Sequence, residues 1–390
     1  MNIQCADRMK GVKMSRIREM LTKCNELQRE GVDLATFTVG QPDFDTPQYI
    51  KEACYQALEE GYTGYAETPG SKELHEAICR KLKRDNNLDY EPDEISVTVG
   101  AAQAAYLGIM TFLNPGDEIL VPDPAYNIYE SIPQIAGAVV KHYELREENE
   151  FQIDLEQLAG LITDKTKMIV MLTPNNPIGS ALTRENLQGV ADLICDKDIL
   201  VLSDEVYERL GYDEEIISIA ALPGMKEHTL VMNGMSKAYS MTGWRIGWLA
   251  APKELLEPIN ILSFNMVSCG NNFVQRACIT ALDEEGDAVE TMRQEFKRRR
   301  DYIIPEINKL NHFSALMPKG AFYVFMNITK TGMSSEEFSN MLLEEYRCSS
   351  IPGNVFGKMG EGFIRLSYAS SMENLQRLAK ALEEIDKKLG

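Results

Sequence analysis

Short apolar segments alternate with helix-like segments along most of the chain, and this alternation limits the fold more than any other feature. Residues 168–172 are apolar at every position, as expected for a strand buried on both faces of a sheet. Helical patterns at residues 101–113 and 184–196 separate such strands, which predicts right-handed crossovers and a mostly parallel sheet. Seven segments have strand character: residues 94–100, 118–122, 139–145, 167–174, 199–204, 229–233 and 245–250.

The sequence pattern changes after the last of these seven strand-like segments. Residues 288–309 form a charged helical stretch whose run Arg298–Arg300 is predicted to be a solvated face, and residues 320–328 and 362–369 are strand-like. An amphipathic helix is predicted at residues 372–389. Because 390 residues exceed what one core usually supports, we predict an α/β fold with two domains. The large domain, residues 45–285, contains the mostly parallel seven-stranded sheet, and a smaller α+β domain contains residues 1–44 and 286–390.

The composition restricts the classes of molecule that the protein is expected to bind. Forty basic and fifty-nine acidic residues give a formal net charge of −19, which repels nucleic acid and anionic membranes. The eight cysteines are scattered without a C-x-x-C pair or a histidine cluster, so neither a metal site nor a disulfide framework is predicted. No run of residues reaches membrane-spanning length. We therefore predict a cytoplasmic protein that binds no metal, nucleic acid or membrane.

One segment indicates amine chemistry. Residues 233–247 place Lys237 between a strand-like run and a glycine-rich turn, with Arg245 eight positions further on. A lysine that is partly buried among cations can stay neutral and form a Schiff base with a carbonyl cofactor. The planar guanidinium of Arg245 suits a phosphate dianion. A surface loop that carries one lysine and one arginine is the alternative for this segment alone.

The residues that follow the predicted strands are candidate ligands, because open α/β sheets bind ligands beyond the carboxyl ends of their strands. Gly100, Ala101 and Ala102 begin a helix whose free amides would hold a phosphate. A plain glycine turn explains these three residues equally well. Tyr126 follows two prolines and would either stack on a flat ring or pack in the core.

Two further strand ends carry polar groups. Asn176 lies in a proline-rich turn that can hold its amide toward a ligand oxygen, although turn formation alone would explain it. Asp204 ends an apolar strand, where a carboxylate needs a partner such as a protonated ring nitrogen. Tyr207 would donate to a phenolic oxygen on the same ring. The alternative is a helix N-cap aspartate with a packed tyrosine.

Taken in chain order, these features resemble the fold type I pyridoxal-phosphate enzymes, specifically the class I aminotransferases of the aspartate and aromatic amino-acid branch. The resemblance covers nearly the whole chain. It is carried by Gly-Gln-Pro-Asp-Phe-Asp-Thr-Pro at residues 40–47, Tyr-Thr-Gly-Tyr at 62–65, Asn-Pro-Ile-Gly at 176–179, Ser-Asp-Glu-Val-Tyr at 203–207, Ser-Lys at 236–237 and Gly-Phe-Ile-Arg-Leu-Ser-Tyr-Ala at 362–369.

The resemblance implies a role for each residue around the cofactor ring. Lys237 would form the Schiff base with pyridoxal 5′-phosphate and then carry a proton between the substrate Cα and the cofactor. Asp204 would hold the pyridine nitrogen protonated. Asn176 and Tyr207 would bind the phenolic oxygen, and Tyr126 would stack on the ring.

The resemblance also implies how the phosphate and the substrate are held. Arg245 and the backbone at Gly100, Ala101 and Ala102 would bind the phosphate, with Tyr65 supplied by the partner subunit of a homodimer whose active sites are shared. The substrate α-carboxylate would be bound by its own set of residues, Arg365 together with Gly40 and Asn176. For an arginine on a strand, a surface ion pair is the alternative.

Two positions depart from the family pattern. Gly234 stands where the family often has a serine or threonine that binds phosphate, and Ser236 or Ser240 is expected to compensate. Ile178 replaces a threonine in the turn that follows Asn176. We expect neither change to abolish cofactor binding.

The predicted reaction is ping-pong transfer of the α-amino group of an L-amino acid, aspartate or aromatic, to a 2-oxo acid that we expect to be 2-oxoglutarate. Residues 14–18 resemble the segment that closes over the substrate. Lys13, Arg16 and Arg18 would favour aspartate and glutamate if any of them points inward, and each is otherwise a surface residue.

Three other functions use parts of the same sequence. A C–S lyase or decarboxylase of the same fold would use the same lysine, and a non-catalytic ligand sensor would use the same scaffold. A nucleotide-binding α/β protein is the third, but the sequence lacks both glycine-rich phosphate-binding motifs.

Overall fold

The computed structural model describes residues 4–12, 16–284 and 286–390. The strands are β1 (Ala35–Thr36), β2 (Ile95–Thr98), β3 (Glu118–Asp123), β4 (Val139–Glu144), β5 (Thr166–Leu172), β6 (Leu200–Asp204), β7 (Thr229–Gly234), β8 (Gly247–Ala250), β9 (Tyr323–Asn327), β10 (Cys348–Ser349), β11 (Ile351–Pro352) and β12 (Phe363–Ser367). The α-helices are α1 (Arg16–Arg29), α2 (Gln48–Glu59), α3 (Lys72–Asn86), α4 (Ala101–Phe112), α5 (Ile128–Ala136), α6 (Leu155–Leu161), α7 (Arg184–Ile194), α8 (Lys253–Val267), α9 (Asn272–Asp283), α10 (Ala288–Asn308), α11 (Ser335–Tyr346) and α12 (Met372–Leu389). None of these helices has both the length and the apolar character needed to cross a membrane.

Seven strands form one sheet in the order β2-β8-β7-β6-β5-β3-β4. Neighbouring strands are parallel except that β8 is antiparallel to both β2 and β7. The seven predicted strands are all present, so the predicted α/β fold with a mostly parallel seven-stranded sheet is confirmed. The carboxyl ends of the parallel strands β3, β5, β6 and β7 consequently open on the same edge of the sheet.

Strand β5 illustrates why the sheet strands are apolar throughout. Met168 and Val170 pack with residues of α4 and α8 on one face of the sheet. Ile169 and Met171 pack with residues of α7 on the other face. Both faces are covered, and the burial of each of these side chains contributes roughly 1.5–3 kcal/mol to folding.

A second layer of structure lies beyond the large sheet. Strands β11, β12 and β9 form an antiparallel sheet, and β1 pairs in parallel with β10. The residues of β9 and β12 share an apolar core with α10 and α12. The two-residue strands β1, β10 and β11 were not predicted, because a strand of two residues has no alternating pattern to detect.

The prediction that the run Arg298–Arg300 is a solvated face is wrong for two of its three residues. Arg299 and Arg300 are buried in α10. Arg299 reaches Asp43 at 2.8 Å, and Arg300 reaches Asp213 at 2.8 Å. A long side chain can carry its charge through an apolar layer to a carboxylate, which a local charge pattern does not reveal.

Candidate active site

A cavity of about 540 Å³ lies where the carboxyl ends of β5, β6 and β7 face helix α1. Ten of the twelve site residues predicted from the sequence line it: Gly40, Ala101, Ala102, Tyr126, Asn176, Asp204, Tyr207, Lys237, Arg245 and Arg365. Gly100 lies directly behind Arg245. Tyr65 is outside the cavity and 93% exposed.

Lys237 projects into the cavity from the segment after β7. Its Nζ donates a hydrogen bond to the Gly40 carbonyl at 2.5 Å. Burial lowers the pKa of Lys237 to about 8, and the positive charges of Arg365 and Arg245 add to this effect while Asp204 opposes it. A substantial fraction of the amine is therefore neutral in mildly alkaline solution, as nucleophilic attack requires.

Asp204 is the last residue of β6 and is buried. Its Oδ2 accepts a hydrogen bond from the Tyr129 hydroxyl at 2.5 Å, and its Oδ1 accepts one from the Val206 amide at 3.3 Å. Burial raises the pKa of Asp204 to about 6, although these hydrogen bonds and Lys237 act in the opposite direction. A cationic N–H donor in the cavity would keep this carboxylate ionised.

Arg245 and the start of α4 form one wall of the cavity. Arg245 Nη1 donates to the Thr242 carbonyl at 2.9 Å. The guanidinium passes so close to Gly100 that an added Cβ there would lie 2.4 Å from Nη2. Gly100 begins α4 with no side-chain cap, so the amides of Ala101 and Ala102 have no intrahelical acceptor. A guanidinium and free helix-start amides on one wall are a site for a phosphate.

The departures at Gly234 and Ile178 have structural explanations. A Cβ at Gly234 would lie 2.9 Å from the Ile246 carbonyl oxygen, so a serine here would press on the neighbouring strand. Ser236 lines the cavity, whereas the Ser240 hydroxyl lies 3.3 Å from the Met292 sulfur and not on the cavity wall. Ile178 is buried in an apolar core cluster. Of the two serines, Ser236 is therefore the one available to a ligand.

Arg365 extends from β12 and is only 2% exposed. Its guanidinium lies 4.5 Å from the Tyr323 ring centre and 5.0 Å from that of Phe356. Nη1 donates to Asn176 Oδ1 at 3.0 Å, and Nη2 donates to the Thr38 carbonyl at 2.7 Å. Nε has no hydrogen-bond partner among the described residues. No carboxylate neutralises this arginine in the described chain, so its charge is available to an anionic ligand.

Tyr323 connects the two halves of the cavity. Its hydroxyl lies 2.7 Å from the Tyr207 hydroxyl, and its ring faces the guanidinium of Arg365. A Cβ at Gly40 would lie 2.9 Å from the Tyr323 hydroxyl oxygen, which explains why that position is a glycine. One tyrosine therefore positions the side chains of Tyr207 and Arg365 together.

Tyr129, Tyr323 and Phe356 contact the site but were not predicted. Tyr129 is three residues after Tyr126, in the first turn of α5, and a helical reading of that segment would have placed it inward. Tyr323 and Phe356 carry no comparable signal. Their contacts depend on how β9 and the loop before β12 meet the large sheet.

The three basic residues considered for recognition of the substrate side chain differ in their positions. Arg18 lines the cavity. Arg16 forms an ion pair with Glu336 at 2.5 Å. Lys13, like Met14 and Ser15, lies outside the described residues.

Comparison with known proteins identifies the family. A family model described as aminotransferase class I and II matches residues 32–382. The aspartate aminotransferase of Pyrococcus abyssi is 40% identical over 98% of this chain and 99% of its own, and the aromatic-amino-acid aminotransferase 2 of Thermococcus litoralis is 39% identical over the same shares. The structure of the aspartate aminotransferase from Thermus thermophilus with maleate superposes with a TM-score of 0.94 at 36% identity, covering 98% of this chain and 100% of that one.

The chain belongs to the class I and II aminotransferase family. It is a pyridoxal-phosphate-dependent aminotransferase, and the resemblance to the aspartate and aromatic branch is confirmed by full-length relatives of both kinds. These matches favour transamination over the C–S lyase, decarboxylase and ligand-sensor alternatives.

The residues of the cavity fit pyridoxal phosphate. Lys237 offers an amine of lowered pKa, and Asp204 offers a buried carboxylate. The narrow space between Gly100 and Arg245 would be filled by any side chain at position 100. The cavity therefore contains a chemically complementary group for the aldehyde, the pyridine nitrogen and the phosphate of the cofactor.

Proposed function

We propose that this cavity is the active site and that Lys237 is its reactive amine. The observation that carries the proposal is that Lys237, Asp204 and Arg365 line one cavity, although they lie on three separate elements of the chain. A nucleophilic amine, a buried acid and a carboxylate-binding cation are the three groups that amino transfer requires.

Lys237 has two tasks in this proposal. Bound pyridoxal phosphate supplies an aldehyde that condenses with amines and a ring that withdraws electrons from the bonds at the substrate Cα. The neutral Nζ of Lys237 would accept the proton from the substrate Cα and would deliver a proton to the cofactor. The Gly40 carbonyl, 2.5 Å away, orients Nζ for both transfers.

The other residues proposed to bind the cofactor ring are assigned from their contacts in the cavity. Asp204 would hold the pyridine nitrogen, with Tyr129 fixing its second oxygen. Tyr207 would bind the phenolic oxygen together with the amide nitrogen of Asn176, whose oxygen is already occupied by Arg365. Tyr126 would form the flat wall against the ring.

We assign the phosphate to Arg245, Ala101 and Ala102, with Ser236 as an additional donor. The lack of a side-chain cap on α4 supports this assignment, since a phosphate would take the place of the cap. Gly100 contributes by leaving room for the arginine.

Arg365 would bind the substrate α-carboxylate through its free face. The two aromatic rings beside it hold the guanidinium plane in one orientation, which orients the Cα–H bond in turn. Gly40 and Asn176 lie next to this subsite on the cavity wall.

The proposed donors are aspartate and aromatic amino acids, and the proposed acceptor is 2-oxoglutarate. The relatives named above include enzymes named for both classes of donor. The cavity supports the same range because its α1 side combines the apolar Ile17 and Leu21 with one cation, Arg18.

We propose a homodimer in which each subunit supplies Tyr65 to the partner's cavity. Helix α8 has three exposed large apolar side chains, Ile261, Phe264 and Met266. The segment that contains Tyr65 is joined to the end of α8, since the Thr68 hydroxyl donates to the Ser268 carbonyl at 2.5 Å. Tyr65 and these exposed side chains therefore belong to neighbouring segments, which supports burial of both in an interface between two copies.

We also propose a division into two domains and a cytoplasmic location. The separate apolar core around β9, β12, α10 and α12 supports the division into residues 45–285 and residues 1–44 with 286–390, although residue 285 itself lies outside the described residues. The eight free cysteines support a cytoplasmic location, where thiols stay reduced.

The test is to locate the covalent linkage and to remove its amine. Borohydride should attach the cofactor to the peptide that contains Lys237, as read by mass spectrometry. In Lys237→Ala that attachment and amino transfer should both be lost. The matched control is Lys226→Ala, because Lys226 lies near the opposite end of β7, paired with Glu94 at 2.7 Å. Retention of full transfer activity by Lys237→Ala would refute the proposal.

A further inference from the structure

Asp123 is a buried carboxylate to which the proposed function gives no role. It is the last residue of β3, three positions before Tyr126 of the cavity wall, and it is 4% exposed. Its backbone carbonyl accepts a hydrogen bond from the Leu145 amide at 2.9 Å, beside the paired strands β3 and β4. The large sheet therefore holds this carboxylate in a fixed position close to the cavity.

Two successive backbone amides satisfy this carboxylate. They belong to residues 353–360 between β11 and β12, which we call the 353–360 loop. Oδ2 of Asp123 accepts from the Lys358 amide at 3.0 Å, and Oδ1 accepts from the Met359 amide at 3.1 Å. Burial raises the pKa of Asp123, and the two amides act in the opposite direction. This contact joins the large sheet to a loop of the smaller one.

The backbone on both sides completes the contact. The Ala125 amide donates to the Phe356 carbonyl at 2.9 Å. Gly357 has a φ of 137°, and a Cβ at this position would collide with the carboxylate of Asp123. The 353–360 loop therefore passes directly over the carboxylate, and three hydrogen bonds hold it against the end of β3.

The same loop carries one of the two aromatic rings that contact Arg365. The Tyr323 ring, 4.5 Å from the guanidinium, belongs to β9, which pairs with β12 along five residues. The Phe356 ring, 5.0 Å from the guanidinium, belongs to the 353–360 loop. A strand of the sheet holds the first ring, whereas the second depends on the contacts of a loop. Asp123 accepts two of the three hydrogen bonds that join this loop to β3.

We propose that Asp123 is a positioning residue for the substrate α-carboxylate, because it holds the 353–360 loop on β3 and thereby sets the Phe356 ring against the guanidinium of Arg365. The inference rests on the proposed function, in which Arg365 binds that carboxylate. Asp123 itself does not line the cavity. Its effect should therefore fall on the binding of carboxylates and not on the binding of the cofactor.

The experiment compares two equilibria, neither of which requires turnover. Calorimetry measures the affinity of the pyridoxal-phosphate-loaded protein for 3-phenylpropionate, a monocarboxylate without an amino group, and a separate titration measures cofactor affinity. The variant is Asp123→Asn, which keeps the shape of the side chain but offers one acceptor to two amides. The matched control is Asp386→Asn, because buried Asp386 likewise accepts two successive amides, those of Asn311 and His312 at 3.0 Å and 2.9 Å, away from the cavity.

Asp123→Asn is expected to weaken binding of 3-phenylpropionate about 3- to 10-fold, the range for loss of one hydrogen bond. Its cofactor affinity should be unchanged. Asp386→Asn should lower thermal stability but bind both ligands normally. Steady-state kinetics should show KM rising by similar factors for aspartate and tyrosine in Asp123→Asn, since every amino donor carries an α-carboxylate.

Two further variants test the route of the effect. Gly357→Ala keeps the charge of Asp123 but pushes the 353–360 loop away from it, so it should reproduce the loss of 3-phenylpropionate affinity and serves if Asp123→Asn does not fold. In a Phe356→Leu background, where the ring is already absent, Asp123→Asn should cause little additional loss, because the two residues act in series.

The contrary outcomes distinguish the inference from the function on which it rests. Normal affinity for 3-phenylpropionate in Asp123→Asn and Gly357→Ala, or an equal loss in Asp386→Asn, overturns the role of Asp123. Fully additive losses with Phe356→Leu overturn it as well, since Asp123 would then not act through that ring. If Arg365→Gln binds 3-phenylpropionate as well as the unaltered protein does, the Arg365 subsite of the proposed function is itself contradicted.

Discussion

At the residue scale, Tyr129 is the clearest example of a side chain that acts on its neighbour's charge. Burial alone would favour a protonated Asp204, and the Tyr129 hydroxyl at 2.5 Å partly offsets that effect. The ionised form is the one that can hold a protonated ring nitrogen. Cofactor affinity should therefore be full above the pKa of Asp204, about 6 in the cofactor-free chain, and should fall as the pH drops below it.

Tyr129→Phe should move this pH dependence. Without the hydroxyl the pKa of Asp204 rises further, so cofactor affinity should begin to fall at a higher pH than in the unaltered protein. The measurement is a pH series of cofactor dissociation constants. Tyr143→Phe is the control, because the buried Tyr143 hydroxyl donates instead to the Val170 carbonyl at 2.7 Å. Superimposable pH curves for Tyr129→Phe and the control would contradict the role of Tyr129.

At the scale of elements, α4 begins without a side-chain cap, as α5 and α8 also do, and its start lies on the cavity wall. Serine, aspartate or threonine side chains cap the starts of α3, α6 and α7. Helix α4 instead begins at Gly100, with a φ of 77° and no side-chain cap. Its uncapped amides face the cavity beside Arg245. The local sequence thus leaves a positive helix end to be completed by a ligand.

Gly100→Ala tests this arrangement. Both Gly100 and Gly116 have positive φ values, 77° and 90°, so alanine introduces backbone strain at either site, about 1–3 kcal/mol at Gly100, whose ψ of 161° belongs to a conformation that glycine alone adopts readily. Only at position 100 does the new Cβ meet Arg245, whereas nothing lies within 4 Å at position 116. We expect cofactor affinity to fall about 10-fold or more in Gly100→Ala alone, equivalent to one lost charged hydrogen bond.

Cofactor titration of the two alanine variants checks this prediction, and thermal unfolding reports the backbone strain in each variant. Equal affinities in the two variants would show that Arg245 can move aside without loss, and would remove Gly100 from the phosphate site.

At the scale of the whole molecule, the active site extends beyond one chain if Tyr65 acts on the partner. Tyr65 is almost fully exposed, and so are Ile261, Phe264 and Met266 of α8, whose end accepts a hydrogen bond from Thr68 in the segment of Tyr65. In a single chain, neither Tyr65 nor these exposed side chains of α8 line the cavity. Two copies joined through these segments would cover the apolar side chains and carry Tyr65 to a second cavity.

Hybrid dimers distinguish action across the interface from action within a chain. One subunit carries Lys237→Ala and the other carries Tyr65→Ala. If Tyr65 acts in the partner's cavity, the subunit that retains Lys237 has a complete site, and the hybrid should regain about half of the unaltered activity, one site of two. The assay is amino transfer at limiting cofactor, where loss of a phosphate ligand has its largest effect.

Activity of the hybrid no higher than that expected from Tyr65→Ala alone would place Tyr65 in its own chain's function or in none. Sedimentation analysis of the same samples establishes that the hybrid is a dimer.

The sequence alone was sufficient for the large sheet and for the polar residues at its strand ends. Buried parallel strands are apolar at every position, and ligand groups follow their carboxyl ends, so both are local patterns. Lys237, Asp204 and Asn176 were found in this way. The sequence also indicated the cofactor, through the family resemblance of motifs such as those that contain Lys237 and Asp204.

Only the tertiary structure decided which residues meet across long distances in the chain. Arg365 contacts the Thr38 carbonyl, 327 positions away, and Tyr323 contacts Tyr207, 116 positions away. The same holds for Arg18, whose inward direction depends on the outer contacts of α1 with α11. Such contacts result from the packing of whole elements, and no periodicity within one element encodes them.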